Sequence, residues 1–126
     1  MPNERRVAAV TGASSGIGLA TAKLFADRGY AVYCLSRSAP PDGRLIHIKT
    51  DVTLEAEVEA AFKRIEAEQG RLDALVSNAG MGISGPVECA SLADAKYQFD
   101  VNVFGLHLCA RHGVPLMRKA GGGCIV

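Results

Sequence analysis

The hydrophobic period of this chain changes at regular intervals, and no other feature restricts its fold so tightly. "RRVAAVT" (5–11) is a short, nearly continuous apolar run. Beyond it Ile17, Ala20, Leu24 and Phe25 recur at helical spacing as far as Gly29, a natural helix stop. "AVYCLS" (31–36) predicts a second strand, closed by the proline- and glycine-rich turn "SAPPDG" (38–43). "LIHI" (45–48) predicts a third strand. Thr53 is placed to cap a helix on which Leu54, Val58, Phe62 and Ile65 share one face, with Glu59 and Lys63 spaced i,i+4 outside. "DALVS" (73–77) predicts a fourth strand; a loop of small residues follows, then a long helical stretch from about Leu92 to Arg111. "GCIV" (123–126) begins a fifth strand.

Strands this apolar, alternating with helices, build right-handed crossovers and a parallel sheet covered on both faces. The 126 residues are expected to form a single domain over 1–126. A hydrophobic content of 48% with 21% charged residues excludes a disordered chain. A net charge of +1 gives no electrostatic reason for nucleic acid or an anionic membrane as partner. The apolar runs are far short of a membrane span. Arg5-Arg6 before "VAAV" imitates a signal peptide, but Gly12, Ser14, Ser15 and Gly16 interrupt the run, so it reads as a strand with no targeting signal. Cys34, Cys89, Cys109 and Cys124 lie singly in apolar surroundings without C-x-x-C spacing. They read as reduced core cysteines of a cytoplasmic protein, rather than as metal ligands or disulfides.

In open parallel sheets ligands bind beyond the carboxyl ends of the strands. After the first strand stands Thr11-Gly12-Ala13-Ser14-Ser15-Gly16-Ile17-Gly18, "TGASSGIG". Gly12 permits a tight turn, Gly16 lets the backbone approach a pyrophosphate, and Gly18 lets the helix pack close to the strand. The helix N-terminus then offers free N–H groups and a positive dipole to phosphate. A glycine triplet alone is often only a loop; with strand, turn and helix in order it reads as a dinucleotide site. A mononucleotide P-loop is excluded, because no Gly-Lys-Ser/Thr follows.

With three further motifs these residues resemble the classical short-chain dehydrogenase/reductases. Thr11, Gly12, Gly16 and Gly18 match that family's Thr-Gly-x-x-x-Gly-x-Gly; Asp51-Val52 follows the third strand, Asn78-Ala79-Gly80 the fourth, and Asn102 lies within "FDVNVFG". The resemblance implies an α/β fold, a Rossmann-type doubly wound parallel sheet, incomplete here because the chain ends at the start of its fifth strand. It also implies roles. Asp51 would bond the adenine amino group with the backbone of Val52 beside it. Asn78 would tie neighbouring strands and, with Ala79 and Gly80, line the adenosine ribose. Asn102 matches the catalytic asparagine that holds a water linking the active-site lysine to solvent. Plainer readings stand beside two of these: Asp51 as a helix cap or turn residue, and Asn102 as a tie for the backbone. Ser77 stands where the family often carries another asparagine.

Cofactor choice is set just beyond the second strand, which ends Leu35-Ser36-Arg37-Ser38 with no acid. In the family a carboxylate at the position of Ser36 bonds the ribose hydroxyls of NAD and repels the 2′-phosphate of NADP. A guanidinium forks well onto phosphate, so Ser36 and Arg37 favour NADP(H) over NAD(H); the other reading of Arg37 is a solvated surface side chain. His47 falls in a strand, and His107 and His112 do not share a helix face, so core or surface roles are expected.

The family reaction moves hydride between nicotinamide and an alcohol/carbonyl substrate, with a proton donor in a Tyr-x-x-x-Lys motif and a serine after the fifth strand. Here Tyr30, Tyr33 and Tyr97 are followed four residues on by Cys34, Arg37 and Val101. Tyr33 and Arg37 straddle a strand, where four residues span roughly 13 Å. "GGGCIV" (121–126) resembles the family's Gly-x-Ile-Val opening of the fifth strand. The expectation is an NADP(H)-dependent oxidoreductase acting on a small molecule, represented by its cofactor-binding half and inactive alone. The alternatives are a non-catalytic nucleotide-binding or interaction protein, or a non-functional truncated product. Phe99, Val101, Val103, Phe104, Leu106, Leu108 and Cys109 make the long helix apolar on nearly every side, which requires burial on two sides. The resemblance places a subunit interface there, so a homodimer or homotetramer is expected of the complete protein and aggregation of the short chain.

Overall fold

The computed structural model describes residues 5–126. Strand β1 (Val7–Thr11) is buried along its whole length, as is β2 (Ala31–Ser36). Both strands therefore run through the middle of the sheet and expose neither face to water. Alternate residues serve opposite layers. Val7, Ala9, Tyr33 and Leu35 pack with Val58, Phe62 and Ile65 of helix α2 (Glu55–Gln69) and with Cys109 and Leu116 of helix α4 (Gly105–Lys119). Val10, Val32 and Cys34 pack with Ala22 of helix α1 (Gly16–Asp27). The doubly wound sheet is the direct result of this period-two pattern.

The remaining strands are β3 (Ile46–Lys49), β4 (Ala74–Val76) and β5 (Cys124–Ile125). All pair in parallel, in the order β3-β2-β1-β4-β5. The order reverses between β1 and β4, and a crevice opens there at the carboxyl ends. Helix α3 (Leu92–Phe99) continues into α4 through a π-helical segment, Asp100–Phe104. The end of α2 is tied to β2 by the buried Tyr33, whose hydroxyl donates to Glu68 Oε2 at 2.6 Å and accepts from Gln69 at 3.1 Å. Among the described residues no helix is long and apolar enough to cross a membrane.

Three expectations need correction. Thr53 does not cap α2. The residue at that position is Leu54, with no side-chain cap bond, while Thr53 donates both its hydroxyl (2.7 Å) and its N–H (2.9 Å) to Asp51 Oδ1. A carboxylate two residues upstream is the stronger acceptor and closes a turn on itself; Glu57 Oε1 completes it by accepting the Asp51 N–H at 3.1 Å. The long helix does not stop near Arg111 but runs to Lys119, through Gly113 and Pro115. A Cβ on Gly113 would lie 3.2 Å from Phe62 and 3.3 Å from Leu75, so the glycine is where the helix seats against α2 and β4. That packing outweighs the local preference to break. Finally, Cys34 and Cys109 are core residues, and burial pushes their thiols up to about 11 and about 12, but Cys89 and Cys124 are exposed.

At the amino edge of the sheet Asp73 joins β1 to β4. Its Oδ2 accepts the Val7 N–H at 2.8 Å, and Arg71 grips both carboxylate oxygens at 2.9 and 2.6 Å. Burial alone would raise the pKa of Asp73; the Arg71 guanidinium and the Val7 N–H outweigh it and hold the carboxyl below its ordinary value. A depressed carboxyl stabilises the fold above the unfolded pKa, about 3.9, and that contribution is lost as pH falls through the folded value. Asp73→Ala is expected to cost about 1–3 kcal/mol at neutral pH by orphaning the Val7 N–H. It should also flatten the acid limb of a melting-temperature profile followed by circular dichroism between neutral pH and acid.

Candidate functional site

Thr11 ends β1 with its Oγ1 accepting two backbone N–H groups, those of Asn78 and Ala79, both at 2.9 Å. The Asn78 amide returns two bonds, to the carbonyls of Thr11 and Gly12, each at 3.2 Å. The ends of β1 and β4 are thereby locked at a spacing that leaves no room for side chains. A Cβ on Gly12 would fall 2.9 Å from Ala79 Cα, and one on Gly18 would fall 2.4 Å from both Asn78 Nδ2 and Gly12 O. Gly16 differs. It sits at φ +58° with no protein atom within 4 Å of where its Cβ would stand. Gly18 is fixed by packing, whereas Gly16 faces open space at the start of α1.

That open space is a cleft of about 590 Å³ at the β1/β4 reversal. Gly12, Ser14, Ser15, Gly16 and Ile17 form one wall, Ser36 and Arg37 a second, Asp51 and Val52 a third, and Asn78, Ala79 and Gly80 the floor beside β4. The N-cap of α1, Ser15, makes no side-chain cap bond and the first turn carries no acid. The first helical bond runs from Leu19 N to Ser15 O at 3.2 Å, so the N–H groups of the turn before it, whose residues line the cleft, have no intrahelical partner. Only Arg37 and Asp51 among the lining residues carry charge. Arg37 has no hydrogen-bond or ion-pair partner among the described residues, and the cleft has no acid at the end of β2. Asp51 has spent one carboxylate oxygen on Thr53 and keeps the other.

Three of the residues singled out in the sequence do not line the cleft. Thr11 and Gly18 stand behind its wall and set its shape. Asn102 sits in the π-helical segment and clamps the loop after β4: its Nδ2 donates to Met81 O at 2.7 Å and its Oδ1 accepts Met81 N–H at 2.8 Å. This is the backbone tie, made as a neighbouring strand would make it. Residues of the cleft that sequence reasoning passed over are Leu35, Ser38, Thr50, Met81, Tyr97 and Val101. Leu35, Ser38, Thr50 and Met81 flank motif residues directly; Tyr97 and Val101 enter from the α3–π segment, and their i,i+4 spacing is the one signal that could have placed them on a common helix face.

A sequence model of the short chain dehydrogenase family matches residues 6–126, and the chain belongs to that family. It is 40% identical over 118 residues to a 3-ketodihydrosphingosine reductase of Bacteroides thetaiotaomicron, covering 93% of this chain and 44% of that one. A cis-4-hydroxycyclohexanecarboxylate dehydrogenase of Sinomonas cyclohexanicum is also 40% identical, over 132 residues, covering 96% and 53%. The ligand-free aldohexose dehydrogenase of Thermoplasma acidophilum superposes with a TM-score of 0.87 at 38% identity, over 90% of this chain and 44% of that one. The chain thus spans about half the length of the relatives it matches.

The two glycines of the helix start separate packing from conformation. Gly18→Ala is expected to lose about 3 kcal/mol or more, since backbone must move. Gly16→Ala should lose only about 1–2 kcal/mol, the cost of a left-handed backbone with a Cβ. Urea denaturation of the two variants measures the difference; equal losses would contradict it.

Proposed function

We propose that the cleft binds a nicotinamide dinucleotide, NADP(H) in preference to NAD(H), and that the complete protein uses it to interconvert a small alcohol and its carbonyl compound. The residues present fit such a group. Gly16 leaves a cradle that a Cβ would fill, next to unspent α1 amides suited to a pyrophosphate. Gly12, Ser14, Ser15, Ile17 and Gly18 complete that loop. Asp51 keeps one carboxylate oxygen for an adenine amino group, with Val52 beside it, and Asn78, Ala79 and Gly80 line the ribose. The observation that carries the NADP(H) preference is Arg37, an unpartnered guanidinium on the cleft wall with no acid at the end of β2. A charge-assisted bond of about 1.5–3 kcal/mol is worth roughly ten- to a hundredfold in affinity.

When bound, the nicotinamide nucleotide supplies or accepts the hydride. The chain's own residues hold and orient it, and Asn102 fixes the loop through Met81 at the reacting end. Proton supply at the substrate oxygen needs a donor. Within these 126 residues no tyrosine is followed four positions on by lysine, so this stretch is taken to hold the cofactor without supplying that donor, and to be inactive alone. Association of the complete protein is supported by Phe99, Val103, Phe104 and Leu106, which are exposed while Cys109 of the same run is buried. The small-molecule chemistry and the near-neutral charge agree with a cytoplasmic enzyme that meets neither nucleic acid nor membrane.

Arg37→Asp should weaken NADPH binding by about ten- to a hundredfold and leave NADH binding similar or better, through like-charge repulsion and loss of the guanidinium. Isothermal titration reads both; an equal loss for the two cofactors would make Arg37 structural. The 126-residue chain should not oxidise NADPH above background with a panel of carbonyl compounds, and extending it through a Tyr-x-x-x-Lys segment should confer turnover. Dose-dependent oxidation by the short chain would overturn that division.

A further inference from the structure

The turn that carries Arg37 is pinned on both sides by hydrogen bonds. The Ser36 carbonyl, which opens the peptide into Arg37, accepts two hydrogen bonds: from Thr50 N at 3.0 Å and from His47 Nε2 at 2.9 Å. A carbonyl oxygen can only accept, so the His47 ring presents its Nε2–H here. Beyond Arg37, the Ser38 carbonyl accepts the Ser36 hydroxyl at 2.7 Å. Ser36, nearly buried at 5% exposure, has thus spent its one donor on the turn rather than keeping it for a ribose.

His47 has no other evident reason to be a histidine. Ile46 and Ile48, on either side of it in β3, pack against the core beneath α2, so His47 projects on the opposite face of an outermost strand. In register it lies across from Cys34, and its ring reaches forward along the sheet to the carbonyl two residues further on. A half-buried residue on an edge strand needs no such partner; threonine or lysine would serve there.

We propose that His47 is a positioning residue for Arg37, and that the preference between the phosphorylated and unphosphorylated cofactor depends on it. This rests on the reading of Arg37 as the 2′-phosphate ligand. Arginine has a long, mobile stem, and its grip on phosphate is worth most when the backbone beneath it does not swing. Two donors on the Ser36 carbonyl and one on the Ser38 carbonyl remove that freedom. Asp51 has its own ties to Thr53 and Glu57, and the glycine turn its own to Asn78, so losing the His47 bond loosens the peptide under Arg37 first.

The test is a pair of affinities measured by isothermal titration, for NADPH and for NADH, on the full chain and its variants. His47→Leu, which keeps bulk and removes the donor, should weaken NADPH about three- to tenfold while NADH changes less than about twofold. His47→Gln, which restores an N–H donor, should return NADPH binding to within about twofold of the parent. Should His47→Leu fail to fold, His47→Phe, which keeps a ring and likewise removes the donor, carries the same expectation. A parallel fall for both cofactors, or no change in either, overturns the assignment. Arg37→Asp in the same series separates the two levels. If it lowers NADPH affinity while the ratio is untouched in His47→Leu, the role of His47 fails alone. If Arg37→Asp leaves NADPH binding unchanged, the reading of Arg37 fails, and that of His47 with it.

Discussion

Thr11 Oγ1 receives the N–H groups of both Asn78 and Ala79, and this one hydroxyl sets how closely the carboxyl ends of β1 and β4 approach. Two half-buried donors would otherwise lose their protein partner at the floor of the cleft, at up to about 1–3 kcal/mol each. Because the strand ends are drawn together, Gly12 must turn over Ala79 and Gly18 must pass Gly12 and Asn78 without a side chain. Helix α1 therefore starts at one place only, with its free amides over the crevice. The wall formed by Ser36 and Arg37 follows from the same geometry, since Gly12 N bonds Leu35 O at 3.0 Å and fixes the end of β2 against the glycine turn.

Much of this was legible from residue order because the relevant contacts are local or periodic. β1 and β2 are apolar on both faces and are buried on both faces. Of the expected face of α2, Val58, Phe62 and Ile65 are in the core, whereas Leu54 is the N-cap residue and exposed. The motif residues from Thr11 to Gly80 converge on one crevice because a parallel sheet puts all its carboxyl ends on one edge. What was not legible depends on partners distant in sequence or on competition between acceptors. Thr53 looks like a cap until Asp51, two residues away, takes both its donors. Gly113 and Pro115 look like a helix end until Phe62 and Leu75 are seen to fill the space beside Gly113. Gly18, which the motif already assigned to helix packing, is closed in by Asn78 and Gly12, whereas Gly16 stands open. His47 gave no signal at all, since its partner is a backbone carbonyl of another strand.

The α3–π–α4 run serves two purposes at once. Cys109, Leu116 and Met117 seal the core, while Asn102 reaches forward to hold Met81 and shape the loop beside the cleft. The π-helical segment at Asp100–Phe104 is where the run changes from one task to the other, as such insertions commonly do near sites. Phe99, Val103, Phe104 and Leu106 remain on its outer side. They leave an apolar stretch exposed on that side of the helix run.

One crevice, shaped by the Thr11–Asn78 lock, is the site proposed for the dinucleotide. Titrating the isotopically labelled chain with NADPH and following each backbone amide by NMR tests it most directly. Saturable shifts are expected, confined to the cleft residues Gly12–Gly18, Leu35–Ser38, Thr50–Val52, Asn78–Met81, Tyr97 and Val101. Shifts centred on the outer groove between α2 and α4, around Lys63, His112 and Lys119, or none that saturate, would contradict it.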